Sequence, residues 1–258
     1  MARRRKFRFW AIVIIIASIL LYRRFGTLEG RMYHDWKNII YTSNGNVAVA
    51  IYSPKNHKTY YQAKNPNHKF HTASTVKVSI LAGLLLKQSD GLSKHQYSLA
   101  EKMIEESDND STTELFEDLG EREGLQDTFE KFGMNDSVAK QSWGLTLTTP
   151  RDQIKLLNNI FYSSNVLNSS QRKLIADLMN EVEMDQRWGI SAGSGHFALK
   201  NGWLNYGKSD WIVNSIGYIT NNDGSTYTIA VYTDKNTSME NGQQTIEQIA
   251  RIAKSYLK

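Results

Sequence analysis

The feature that most constrains this chain is a short run, Val78 to Leu86, in which Ser79 and Gly83 are the only residues without an apolar side chain. With Val76, Ile80, Leu81, Leu84 and Leu85 at helical spacing, it reads as a helix. A helix this apolar has no side to give to water, so it predicts a buried central helix with the rest of the domain packed round it. Gly91 is its expected stop. Just before the run stands His71-Thr72-Ala73-Ser74-Thr75-Val76-Lys77. If the helix begins at about Ser74, Lys77 lies one turn further on the same face, beside the serine hydroxyl. A serine is a poor nucleophile at neutral pH, whereas a lysine with a lowered pKa can accept its proton. The helix N-terminus favours developing negative charge there. Alone, Ser-x-x-Lys is better explained by an N-cap serine and a solvated lysine.

Two further motifs change that balance. Ser107-Asp108-Asn109 follows 33 residues after Ser74, and Lys200-Asn201-Gly202 sits in what reads as a strand. Ser-x-x-Lys, Ser-Asp-Asn and Lys-Thr-Gly in this order form the signature of class A β-lactamases and penicillin-binding proteins. Residues Phe70 to Lys77 resemble that family's first motif, and Ser107 to Thr113 its second. Leu147-Thr148-Thr149-Pro150-Arg151-Asp152 is similar to its turn into the next helix. The resemblance spans about Tyr41 to Lys258.

The first residues form a separate segment. Arg3, Arg4, Arg5, Lys6 and Arg8 precede an apolar run from Phe9 to Tyr22, which Arg23 and Arg24 close. The run of about 14 residues is short for a membrane span, which needs about 17–25. No small-x-small cleavage site follows it, so an uncleaved signal anchor is favoured over a removed signal peptide. The heavier basic cluster on its N-terminal side predicts a cytoplasmic N-terminus and an outward-facing body, single-pass at the cell membrane, with secretion as the alternative. Seven of the 31 basic residues lie in the first 24 positions, which leaves 24 against 26 acidic residues. The net charge of +5 therefore belongs to the leader and gives no ground for a nucleic-acid partner. The absence of cysteine excludes both a disulfide framework and a lipidated cysteine anchor. The six histidines show no metal-ligand spacing, and Gly193-Ser194-Gly195 is no phosphate loop. No metal or cofactor is expected.

Taken in order, residues 1–24 are the leader, 25–40 a juncture with a possible short helix from Met32, and 41–258 the catalytic domain. Val47–Tyr52 and Thr59–Ala63 read as a hairpin. The chain is then mostly helical from Leu99 to about Met184: Ala100–Glu106, Ser111–Leu119, Glu123–Phe132, Arg151–Tyr162 and Ser170–Met179, with Pro150 placed for a helix start. Strands return at Phe197–Leu204, Trp211–Thr220 and Tyr227–Thr233, with a turn at Asn221-Asn222-Asp223-Gly224, and a helix over Gly242–Leu257 closes the chain. The pattern predicts an α+β fold: an antiparallel sheet flanked by helices, with an all-helical subdomain inserted between its strands. The resembled family has this architecture, its active site in the cleft between the two parts.

By resemblance, Ser74 is the nucleophile of an acyl transfer and Lys77 its base. Ser107 would relay the proton to the leaving group. Asn109 would hydrogen-bond the substrate amide or the lysine. Lys200 would face Ser107, keep Lys77 neutral and attract an anionic substrate. The backbone N–H groups of Ser74 and Trp203 would form the oxyanion hole, and Gly202 would let substrate approach the strand. Two departures stand out. The family's β-lactamases carry a glutamate that activates the deacylating water shortly before the threonine-threonine-proline turn, and Ser137 to Thr146 holds no acid. Asn201, expected with Asn109, Gly202 and Trp203 to bind substrate, replaces the threonine or serine whose hydroxyl helps to bind a carboxylate. Trp188, Trp203, Tyr206 and Trp211 gather round the last motif, either as core or as a cleft wall. The expectation is an exported serine acyl hydrolase or transferase of the penicillin-recognising type, acting on a cell-wall-derived or β-lactam-like small substrate. The alternatives are a class A-type β-lactamase and a non-catalytic binding or regulatory relative.

Overall fold

A computed structural model describes residues 9–10, 12–18, 22, 26–88 and 91–257. Five antiparallel strands form the sheet, in the order β2-β1-β7-β6-β5: β1 (Val47–Ser53), β2 (Lys58–Ala63), β5 (His196–Asn205), β6 (Trp211–Thr220) and β7 (Thr226–Asn236). A two-residue pair, β3 (Phe70–His71) with β4 (Leu147–Thr148), lies apart from it. Side chains alternate across a strand, and the sequence uses the alternation to make two different faces. Val47, Val49, Ile51, Leu199, Val213, Ile229 and Val231 face the terminal helices α1 (Leu28–Thr42) and α8 (Met239–Tyr256). Small residues, Ala48, Ala50, Ala198 and Ala230, face the inserted helices. That layered arrangement is the one the element order predicted, an antiparallel sheet flanked by helices with a helical subdomain inserted between its strands.

The inserted subdomain is built round α2 (Val76–Lys87), in which every residue from Val76 to Leu85 is buried. Round it pack α3 (Lys94–Glu101), α4 (Asn109–Leu119), α5 (Glu121–Lys131), α6 (Pro150–Phe161) and α7 (Ser169–Asn180). Helix starts follow local chemistry. Ser93 and Asn168 make capping boxes with Gln96 and Gln171, and Thr149 caps the helix that Pro150 opens.

Three expectations need adjusting. The helix expected from Met32 runs from Leu28, and its Met32, Trp36 and Ile40 are buried against α8, with the Trp36 indole donating to the Ile249 carbonyl at 3.2 Å. Helix α1, which begins inside the stretch read as a juncture, is thus part of the packed body. Helix α2 ends at Lys87, ahead of Gly91. The helix expected over Ala100–Glu106 is divided: α3 stops at Glu101 and a single π-type turn covers Lys102–Glu106, which re-aims the chain just before Ser107. The expected leader lies largely outside the described residues. Among the described residues, no helix is long and apolar enough to cross a membrane.

Candidate active site

Ser74 sits in a single 3-10 turn, Ala73–Thr75, and α2 starts only at Val76. The turn is entered through Ala73 at φ 47, a left-handed conformation that disfavours side-chain-bearing residues by about 1–2 kcal/mol. Tertiary bonds hold it. Asn214 of β6 donates to the carbonyls of His71 at 2.9 Å and Thr72 at 3.2 Å. Thr75 Oγ1 donates to the Thr72 carbonyl at 2.7 Å and pairs with the Tyr232 hydroxyl at 2.7 Å. The other side is closed by β5: a Cβ built on Gly202 would stand 2.7 Å from the Ser74 nitrogen and 2.8 Å from that of Thr75. Only glycine permits that approach, so the third motif lies directly against the first.

Lys77, one turn beyond Ser74, is fully buried, and its ammonium reaches the second motif three times. Nζ donates to the Ser107 carbonyl at 2.7 Å, to Ser107 Oγ at 3.1 Å and to Asn109 Oδ1 at 3.0 Å. Ser107 can offer both oxygens because it is left-handed, φ 60, at the end of the π-type turn. Asp108, between them, caps α4 by accepting from the Ser111 N–H at 2.7 Å, and those bonds hold its carboxyl below the usual range. The second motif thus divides: Asp108 is the helix cap, and Ser107 and Asn109 meet the lysine. Burial lowers the Lys77 pKa to about 7, against a smaller opposing pull from Asp108.

Lys200 is also fully buried. Burial first, and the nearby Lys77 second, push its pKa well below the ordinary value. Its hydrogen bond runs to Gln186 Oε1, at a long 3.5 Å. Gln186, buried, also donates to the Glu106 carbonyl at 2.9 Å and so ties β5 to the turn that precedes the second motif. Asn201 is placed differently from the expectation of a substrate-binding residue. It is buried, its amide donates to the carbonyls of Gln186 at 2.7 Å and Trp188 at 3.1 Å, and it is not part of the cleft wall.

Ser74, Ser107, Asn109 and Trp203 all line one cleft of about 520 Å³. Sequence reasoning missed much of the rest of its lining: Glu106, Glu183, Asp185, Met239 and Gln243. These lie on short turns and a helix start, where no periodicity marks a site. The open question about the tryptophans is divided. Trp188 and Trp203 line the cleft with ring centroids 5.9 Å apart, and Trp188 also packs with Trp211 against the terminal-helix core. Trp143 lines it too, from the loop where the resembled β-lactamases hold their glutamate, with Lys77 Nζ 5.1 Å from its ring centroid. Among the described residues no cluster of His, Cys, Asp and Glu could hold a metal ion.

Comparison with known proteins agrees with the geometry. A family model described as the beta-lactamase enzyme family matches residues 82–257. The match begins after Ser74 and Lys77, so the first motif is placed by the structure itself. No curated protein matches the sequence. Among solved structures, a class A β-lactamase from Bacteroides cellulosilyticus is similar with a TM-score of 0.76 at 17% identity, over 90% of this chain and 98% of that one. A β-lactamase from Chitinophaga pinensis gives 0.78 at 17%, over 88% and 100%. A structure named PBP-A gives 0.73 at 19%, over 87% and 95%.

Proposed function

Because this chain belongs to the beta-lactamase enzyme family and is on that ground a serine hydrolase, we propose that it is exported and acts at the cell surface on a cell-wall acyl, peptide or ester substrate through an acyl-enzyme on Ser74. The observation that carries the reading is the convergence of Lys77 on Ser107 and Asn109, beside Ser74, in a cleft large enough for a small substrate. Neutral Lys77 takes the Ser74 proton as Oγ bonds to the acyl carbon, and Ser107 passes a proton to the leaving group. The N–H groups of Ser74 and Trp203 receive the oxyanion. Water then cleaves the acyl ester.

Hydrolysis of β-lactams, the activity named for two of the neighbours, is the alternative. The indole of Trp143 beside Lys77 argues against it, since deacylation needs a placed and activated water. The test is intact-mass detection of a covalent adduct with a fluorescent penicillin and with a fluorophosphonate. One adduct, mapped to Ser74 and lost in Ser74→Ala, is expected. The N-cap position of α2 is Thr75, so Ser74→Ala removes no helix cap and the variant should fold. Labelling that survives the substitution rules out Ser74 as nucleophile.

A further inference from the structure

The charge of the cleft is opposite to what a carboxylate-bearing substrate needs. Every charged residue lining it is an acid: Glu106, Glu183 and Asp185, all exposed at its rim. They are held on one side, since the Glu183 N–H donates to the Glu105 carbonyl at 3.1 Å and Gln186 donates to that of Glu106 at 2.9 Å. The walls are three indoles, Trp143, Trp188 and Trp203. The two amines beneath, Lys77 and Lys200, are fully buried, which favours their uncharged forms. Position 201, where the family's hydroxyl meets a carboxylate, is an asparagine whose amide nitrogen donates to two backbone carbonyls.

Indole faces attract cations by about 0.5–2 kcal/mol, and a cleft lined by one sign of charge concentrates the opposite ion. We propose that the Ser74 cleft selects acyl esters and thioesters that carry an ammonium group, held among the three tryptophans and the rim carboxylates. This rests on the acyl-enzyme reading above. In the reaction the Ser74 Oγ–carbon bond forms and the bond from that carbon to the leaving oxygen or sulfur breaks. The serine proton passes through Lys77 and Ser107 to the leaving group. Water then returns the free serine and releases the carboxylic acid.

Three thioacetates separate the possibilities in the purified full-length chain: acetylthiocholine, its uncharged isostere S-(3,3-dimethylbutyl) thioacetate, and S-acetyl-3-mercaptopropionate. All three give the same acetyl-Ser74, so kcat/KM, divided for each ester by its rate of hydroxide hydrolysis to remove the differing basicity of the leaving thiolates, reports how acylation responds to the charge of the leaving group. Ser74→Ala supplies the background. At low salt the cationic ester is expected to exceed the uncharged one by about tenfold, the equivalent of about 1.4 kcal/mol, with the anionic ester slowest. The ratio should fall towards one at high salt and in Glu183→Gln/Asp185→Asn, because rim charges act through a screened field. Equal rates, or a faster anionic ester, overturn the inference and leave the Ser74 acyl-enzyme standing. Absence of any Ser74-dependent thiol release overturns the acyl-enzyme reading and this inference with it.

Discussion

The two walls of the cleft are built to different standards. On one side, Lys77, Ser107 and Asn109 form a closed hydrogen-bonded set beside Ser74, on helices packed into the largest core. On the other, residues 137–146 and 182–188 present turns, exposed carboxylates and indoles, with no carboxylate from the first of these loops. Under the proposed function the first, furnished wall would hold what acylation uses, and the other would meet the rest of the substrate and the water, where this chain departs from the resembled pattern. The difference teaches that the groups proposed to form the acyl-enzyme and those that would clear it are positioned by different elements.

The sharpest way to break that comparison is to remove the amine. Lys77→Met keeps the length of the buried stem and deletes the proton acceptor, so the rate of covalent labelling should fall by about 10²–10⁴-fold. A rate within a factor of a few of the parent would mean that the furnished wall does not drive acylation.

The junction of the walls is the next target. In Gly202→Ala the new methyl would press on the backbone nitrogens of Ser74 and Thr75. Backbone cannot swing aside as a flexible side chain can. The expected result is a loss of about 1–3 kcal/mol in denaturant unfolding and, from a displacement near 1 Å at the nucleophile, labelling slower by about 10². Labelling at the parental rate would show that β5 does not set the position of Ser74.

How much of this could be read from the sequence follows the same division. The sheet and the buried helix were legible because the β-branched and aromatic residues along Trp211–Thr220 and the apolar continuity along Val78–Leu86 leave few other folds. Ser74, Lys77, Ser107 and Asn109 were legible because their spacing is fixed by one helix turn and one helix start. Gln186, Asn214 and Tyr232 were not. Each works through long-range bonds, such as Asn214 to His71 across 143 residues, and a lone polar residue in a turn or strand carries no periodic signal. Asn201 misled because its motif neighbours do line or abut the cleft, whereas its own amide turns to the carbonyls of Gln186 and Trp188. Charge had a similar blind spot, since composition gave the sum for the body but not the gathering of Glu106, Glu183 and Asp185 on one rim.

A pH series sharpens the comparison without a mutation. Lys77 must be neutral to act, and its pKa is lowered to about 7. Labelling should rise about tenfold per pH unit below that value and level off above it. The effect on stability has a definite sign. Between about pH 7 and the ordinary lysine pKa near 10.4, the unfolded chain binds a proton at Lys77 that the folded chain does not, so stability should rise with pH across this window. Below about pH 7 both states bind it and this contribution is flat. Lys200, lowered by burial and by Lys77, acts in the same direction. A labelling profile flat from pH 5 to 9 would exclude Lys77 as the base.

The smallest effect is expected where the unfurnished wall is repaired. Trp143 is half-buried, its indole donates to Thr113 Oγ1 at 3.3 Å, and its ring lies beside Lys77. Trp143→Glu would put a carboxylate in that loop and free space for a water next to it. Two consequences oppose each other. A general base near the acyl group should shorten the life of a penicillin adduct, by about tenfold for a base that evolution has not aligned. The same carboxylate favours the charged form of Lys77, raises its pKa and moves the acylation limb to higher pH. Trp143→Gln supplies the space without the base. The measurement is a time course of adduct mass after excess drug is removed, with labelling rates across pH for both variants. A shorter adduct life in the glutamate variant alone, with its acylation limb displaced upward, would assign the missing step to this loop. Equal adduct lives in the parent and both variants would mean that clearance is limited elsewhere, and that the two walls do not divide the chemistry.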